Sequence, residues 1–142
     1  MMPMNSYELV LTSSIEECDR LAEFLEGIAG LEKFGDKFLT ELGIVAKEAF
    51  INAVLHGNEG VPGAVVHMTV RVTEDAGARV LFLKVWDMGK GFSLPECSDP
   101  LQTDALMKSS GRGLLYIKSY AEIMGLEWDE NGCWLTLRMM PF

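Results

Sequence analysis

The chain has 142 residues with 49% of them hydrophobic, a size and balance that suit one packed domain over residues 1–142 and rule out intrinsic disorder. Twelve Lys and Arg against 21 Asp and Glu give a formal net charge of −9, which leaves no electrostatic footprint for a nucleic acid backbone. No apolar run approaches the roughly 18 residues of a membrane helix and Met1–Tyr7 lacks the segments of a signal peptide, so the expectation is a cytoplasmic protein that binds neither nucleic acid nor membrane.

Tyr7 to Leu11 reads as a short strand. Ser13 or Ser14, followed three residues later by Glu16 or Glu17, forms a capping box before Leu21, Phe24, Leu25 and Ile28, so a first helix is expected to end near Gly30. A second helix is expected from about Asp36 to His56, with Gly57 as a left-handed stop. Val66, Met68, Val70 and Val72 alternate with polar residues as a half-buried strand. A second strand, Val80 to Trp86, follows Glu74-Asp75-Ala76-Gly77 as the other arm of a hairpin. Phe92 to Ser110 shows no period and contains Pro95 and Pro100; an irregular connection of that length inside a compact domain is usually functional. Leu114, Leu115, Ile117, Ala121 and Met124 then read as a helix, before a strand pair around Asn131-Gly132. Cys18, Cys97 and Cys133 are odd in number and lack CxxC spacing, which argues against a disulfide framework or zinc site. The sum is an α+β sandwich, an antiparallel or mixed sheet with helices on one face.

Three segments carry chemistry. On the second helix, Glu48 and Asn52 lie one turn apart, in line with Glu41 and near His56, flanked by Ile44, Val45 and Leu55. A carboxylate so flanked needs a hydrogen bond or cation, and the pair suits a general base beside a hard cation such as Mg²⁺; the same spacing also occurs on plainly solvated helix edges. Next, Asp87-Met88-Gly89-Lys90-Gly91-Phe92 ends a buried strand in an acid and two alternate glycines. Asp87 can accept a hydrogen bond from an amino group such as the adenine N6 while the glycines admit a ligand to the backbone, or the segment is simply a capped turn. Last, Gly111-Arg112-Gly113-Leu114 opens a helix, where backbone N–H groups with Lys108 and Arg112 can hold a phosphate, or where two glycines merely form the cap.

Taken in order, Glu48-Ala49-x-x-Asn52-Ala53-x-x-His56-Gly57, Asp87-x-Gly89-x-Gly91-Phe92 and Gly111-x-Gly113-Leu114 resemble the N, G1 and G2 boxes of the GHKL ATPases. The resemblance covers essentially the whole chain and is greatest to the small bacterial anti-sigma factor serine/threonine kinases. Histidine kinases typically carry Asn where Glu48 stands and place a dimerisation domain before the ATPase domain; gyrase and mismatch-repair relatives are much longer.

The resemblance implies a two-layer Bergerat-type ATP-binding fold and an Mg-ATP-dependent protein kinase. In it, Asn52 would ligate the Mg²⁺ that bridges the ATP phosphates and Glu48 would be the general base. Asp87 would take the adenine amino group, Gly89 and Gly91 would lie beneath the nucleotide, and residues 92–110 would be the ATP lid. Lys108, Gly111, Arg112 and Gly113 would face the phosphates. The implied partners are a STAS-type anti-anti-sigma protein as substrate, a sigma factor to sequester, and a second copy in a homodimer. One departure bears on Asp87: the family often has Gly-Thr where this chain has Gly132-Cys133, so the hydroxyl that supports the adenine-binding acid is missing. Two other readings stand beside the kinase: a nucleotide-gated binding switch without phosphotransfer, and an α+β interaction domain without nucleotide.

Overall fold

The computed structural model describes residues 5–58, 61, 63–89 and 113–142, with the side chains of Gly113 and Leu114 excepted. Strand β1 (Asn5–Thr12) turns Leu11 into the core and leads to Ser14, whose hydroxyl accepts the Glu16 N–H at 3.3 Å and caps a short 3-10 turn, Ile15–Glu17. The Glu17 carboxylate reaches back to the Thr12 N–H at 3.0 Å and pairs with Arg20 at 2.8 Å, so the expected capping box is made across a longer span of chain.

Helix α1 (Cys18–Glu32) buries Leu21, Leu25 and Ile28. It runs two residues beyond the expected end because Lys33, not Gly30, takes the left-handed position, with φ 59°. Helix α2 (Asp36–Asn52) buries Phe38, Leu42, Val45, Ala46, Ala49 and Phe50, the spacing of a helix sunk into a core on most of its circumference.

Strands β2 (Val65–Asp75) and β3 (Ala78–Asp87) form the expected hairpin, closed by Ala76 and Gly77, both at positive φ (55° and 83°) as a tight two-residue connection of right-handed strands demands. Helix α3 (Gly113–Tyr120) is shorter than the sequence pattern suggested. The Ala121 N–H still reaches the Ile117 carbonyl, at 2.8 Å, but β4 (Glu122–Trp128) starts at the next residue. Met124 therefore lies in a strand, at an irregularity between Ile123 and Gly125, and is half exposed. Its spacing from Ile117 and Ala121 mimicked a helix period, whereas pairing of Ile123 with Leu137 on β5 (Cys133–Met139) determines the conformation.

Every strand pair is antiparallel, and the order across the described sheet is β1-β2-β3-β5-β4. One face, carrying Val66, Met68, Val70, Leu81, Leu83, Val85, Leu135 and Leu137, packs on the three helices through Leu25, Phe38, Val45, Phe50 and Ile117. The other face presents His67, Arg71, Lys84, Trp86, Trp134 and Arg138, all at least partly exposed. This is the expected two-layer α+β arrangement. Among the described residues no helix is long and apolar enough to cross a membrane.

The end of the sheet remote from Asp87 is fastened by Glu32, which accepts hydrogen bonds from Tyr7 and from Asn5 (2.8 Å) and pairs with Arg79 at 2.7 Å. Arg79 also donates to the Glu32 carbonyl at 2.9 Å and lies 5.1 Å from the Phe34 ring centre. Burial pushes the Glu32 carboxyl up, but the hydrogen bonds from Tyr7 and Asn5 and the Arg79 charge outweigh it and leave it below its ordinary value. A carboxyl lowered on folding contributes stability above its unfolded pKa and loses it as pH falls through the folded one. Glu32→Ala is thus expected to cost about 2 kcal/mol near neutrality. Urea unfolding should show that gap closing as the buffer is taken into the acid range; a gap independent of pH would mean that the carboxylate charge contributes nothing.

Candidate functional site

Glu48 and Asn52 occupy the last turn of α2, where the helix changes character. Asn52 closes the α-helix, and residues Ala53–Gly57 continue as a π turn in which the Ala53 N–H is shared between the carbonyls of Ala49 and Phe50. The Asn58 N–H closes that turn on the Ala53 carbonyl at 2.7 Å. The sequence pattern suggested one unbroken helix to His56, with Gly57 left-handed; instead the winding widens after Asn52 and Gly57 is not at positive φ. Such local widening recurs at functional sites, because it re-aims side chains without ending the helix.

The need for glycine at 57 is steric. A Cβ there would lie 2.2 Å from Oδ2 of Asp87, and one at Gly89 would lie 1.3 Å from the Gly57 carbonyl oxygen. A Cβ at Gly132 would meet the Asp87 carbonyl oxygen at 2.2 Å and the Trp86 indole nitrogen at 2.5 Å. Gly57, Gly89 and Gly132 therefore let three backbone segments close around the end of β3. Gly132 likewise lacks a positive φ: its turn is held by the Asp129 carboxylate, which accepts the N–H groups of Asn131 (2.7 Å) and Gly132 (3.2 Å).

Asp87 sits at that convergence with only 6% of its surface exposed, its Oδ1 accepting the Gly89 N–H at 2.9 Å. Burial pushes its carboxyl up to about 6, partly opposed by that N–H. Across the strand pair its register partner is Cys133, itself buried, so the departure from the family's Gly-Thr falls directly beside the acid.

A narrow cleft brings Asp87 and Asn52 together between aliphatic walls formed by Ala49, Ala53, Val85 and Leu135. Asn52 is buried, 5% exposed, whereas Glu48 is half-buried toward the start of α1. There burial pushes the Cys18 thiol up, opposed by Lys47 and reinforced by Asp19 and Glu48, so the Glu48 carboxylate lies within electrostatic reach of Cys18. His56 has a buried Nε2 that finds no hydrogen-bond partner among the described residues. Gly113 is the first residue of α3. Gly91, Lys108, Gly111 and Arg112, with the expected lid at 92–110, lie outside the described residues.

A residue that sequence reasoning missed is Asn58, 4% exposed. Its Nδ2 donates to the Ser13 hydroxyl (3.2 Å) and the Val65 carbonyl (3.0 Å), and its Oδ1 accepts the Met88 N–H at 2.8 Å. Nothing in the periodicity marks it, since the partners are 45, 7 and 30 residues away.

The cleft matches the chemistry of an adenine nucleotide. The cleft holds only about 10 Å³, the room of one water, so its walls must part to admit a base; what suits the nucleotide is the buried acid, placed to accept from an exocyclic amine whose N–H would relieve the cost of ionising it. Among the described residues no group of three or more His, Cys, Asp and Glu could hold a metal ion. The side-chain oxygen of Asn52 suits Mg²⁺ as a minor part of its ligand sphere, the rest coming from phosphates and water.

The family described as histidine kinase-like ATPase domain matches residues 11–139. Among curated proteins, the anti-sigma F factor of Bacillus cytotoxicus is 35% identical over 95 residues, 66% of this chain and 62% of that protein. The anti-sigma F factor of Geobacillus thermodenitrificans is 32% identical over the same length and shares. The chain thus spans a little under two thirds of these relatives. Among solved structures, one chain comprising the RsbU and RsbW domains of Rv1364c from Mycobacterium tuberculosis superposes with a TM-score of 0.58 at 16% identity, covering 99% of this chain and 34% of that one. At that identity the likeness is one of fold.

Proposed function

Because the chain belongs to the histidine kinase-like ATPase domain family, we propose that it is an Mg-ATP-dependent serine/threonine protein kinase acting as an anti-sigma regulator. Its substrate is a STAS-type anti-anti-sigma protein, its other partner a sigma factor, and it works in the cytoplasm as a single domain that pairs with a second copy. The names of the relatives support the regulatory part. The observation that carries the nucleotide part is the convergence of buried Asp87 and Asn52 on one aliphatic cleft.

In this reading Asp87 accepts a hydrogen bond from the adenine amino group, and Gly89 keeps the loop close to Gly57 so that the carboxylate is held in place. Asn52, one turn beyond Glu48, offers its side-chain oxygen to Mg²⁺, and Gly113 begins the helix whose N-terminus faces the phosphates, with Lys108, Gly111 and Arg112 just ahead of it in the chain. Mg²⁺ supplies charge neutralisation on the phosphate oxygens when bound. Glu48 takes the proton of the attacking hydroxyl, a role open to it because it is only half-buried and a protein acceptor can reach it. Phosphoryl transfer asks mainly for positioning and electrostatics, and these groups supply both.

The test is calorimetric titration of Mg-ATP and Mg-ADP into wild type and Asn52→Ala. Wild type is expected to bind in the micromolar range. Asn52→Ala should lose at least about tenfold in affinity for Mg-ATP, the worth of one good ligand or hydrogen bond. A folded wild type that binds neither nucleotide overturns the proposal and points to Cys133 beside Asp87 as the change that mattered.

A further inference from the structure

Asn58 is a small amide with its hydrogen-bonding groups turned inward. Both directions of its side chain are used: Nδ2 donates to Ser13, between β1 and α1, and to Val65, the first residue of β2, while Oδ1 accepts from Met88, just past β3. Its backbone closes the π turn on Ala53, and its carbonyl accepts the Val61 N–H at 3.0 Å. One buried residue therefore ties together the end of the α2 segment, the β1–α1 connection, the start of β2 and the exit of β3.

The Met88 bond has a particular consequence. Met88 lies between Asp87 and Gly89, and the Gly89 N–H is the group that holds the Asp87 carboxylate. Fixing the Met88 N–H fixes the peptide that joins Asp87 to Met88, and with it the turn that aims Oδ1 and Oδ2. An apolar residue at 58 would leave the part-buried Met88 N–H and Val65 carbonyl without this partner, free to turn to solvent and release the Asp87–Met88 peptide, and a carboxylate could accept from Met88 but not donate to Ser13 or Val65.

From this geometry we propose that Asn58 is a positioning residue for base recognition. It does not touch the nucleotide; it sets the direction of the Asp87 carboxylate, and so the preference for adenine over other bases. The inference rests on the nucleotide reading above, and adds a determinant outside the three sequence boxes.

The experiment compares the affinities of wild type, Asn58→Ala, Asn58→Asp and Ser13→Ala for Mg-ATP and Mg-GTP, with circular dichroism and urea unfolding of each unliganded protein. Wild type is expected to prefer ATP. Asn58→Ala should lose about tenfold in ATP affinity with GTP affinity nearly unchanged, collapsing the preference. Asn58→Asp keeps the acceptor for Met88 and should keep the preference while losing stability; Ser13→Ala, which removes one remote partner, should keep both preference and ATP affinity. If Asn58→Ala does not fold, Asn58→Ser, whose shorter side chain does not reach the Met88 N–H, takes its place, with the same expected collapse of the ratio. A purely structural role predicts that every variant loses stability while the ATP-to-GTP ratio stays at its wild-type value, and that result, or loss of the ratio in a folded Asn58→Asp, overturns the inference. A wild type without nucleotide binding or without an adenine preference overturns the nucleotide reading itself.

Discussion

Glu48→Gln is expected to lower phosphoryl transfer to a STAS-type acceptor by roughly 10²–10⁴-fold, the usual worth of a positioned general base, while Mg-ATP affinity stays within a few fold of wild type. The split follows from where the residue sits. Asn52 and Asp87 are buried in the cleft, whereas Glu48, one turn earlier on α2, is half-buried and lies toward the start of α1. Replacing it by its amide keeps shape and hydrogen-bonding reach but removes the ability to take a proton. Single-turnover phosphotransfer with purified acceptor, run beside nucleotide titration, separates the two quantities. Equal transfer by both proteins would remove Glu48 as the base. Tight binding of nucleotide by wild type with no transfer to any STAS acceptor would leave the nucleotide-gated switch as the function.

The legible part of the site was the part written in local pattern. The burial of α2 is visible in its near-continuous apolar circumference, and the β2–β3 hairpin in the alternation of Val66 to Val72 and the Ala76-Gly77 turn. The residues alone left each segment open to a plain structural reading; it was the order of Glu48, Asn52, Asp87 and the glycines, in its resemblance to the GHKL boxes, that implied a nucleotide site. What local pattern could not carry was the reason for the glycines. Gly57 reads as a helix stop in sequence, yet it is required by a carboxylate 30 residues away, and Gly132 reads as a turn residue while it makes room for Trp86 and the Asp87 backbone. Asn58 has no local signature at all, since its bonds run to residues brought near only by the sheet. The boundary between α3 and β4 was missed for a related reason: apolar spacing is the same for a short helix followed by a strand, and strand pairing with β5 decides between them.

Asp87→Asn is expected to move stability and binding in opposite directions. Burial raises the Asp87 carboxyl to about 6 in the folded protein from an unperturbed 3.8, so the folded state holds its proton more tightly than the unfolded chain does. Between those values the native state binds more protons than the unfolded one, and stability falls as pH rises. Above about pH 6 the full cost of a buried charge is present. A shift of this size corresponds to at most about 3 kcal/mol, and the neutral amide, which keeps an oxygen for the Gly89 N–H, removes it. Unliganded Asp87→Asn should therefore be the more stable protein at pH 8, by up to that amount, and match wild type below about pH 4. In the presence of Mg-ATP the order should reverse or narrow. An ionised acceptor makes a stronger hydrogen bond to the adenine amino group than an amide oxygen does, and the Asn side chain brings its own donors to face the amine, so affinity should fall at least about tenfold. Thermal unfolding across pH 4–8 with and without nucleotide reads both effects in one series. A wild-type stability that is flat in pH would mean that Asp87 is solvated, and a variant that keeps full ATP affinity would mean that the base is held elsewhere. The predicted pair, a fold strained by a charge that the ligand relieves, is the thermodynamic mark of a residue kept for binding at the expense of stability.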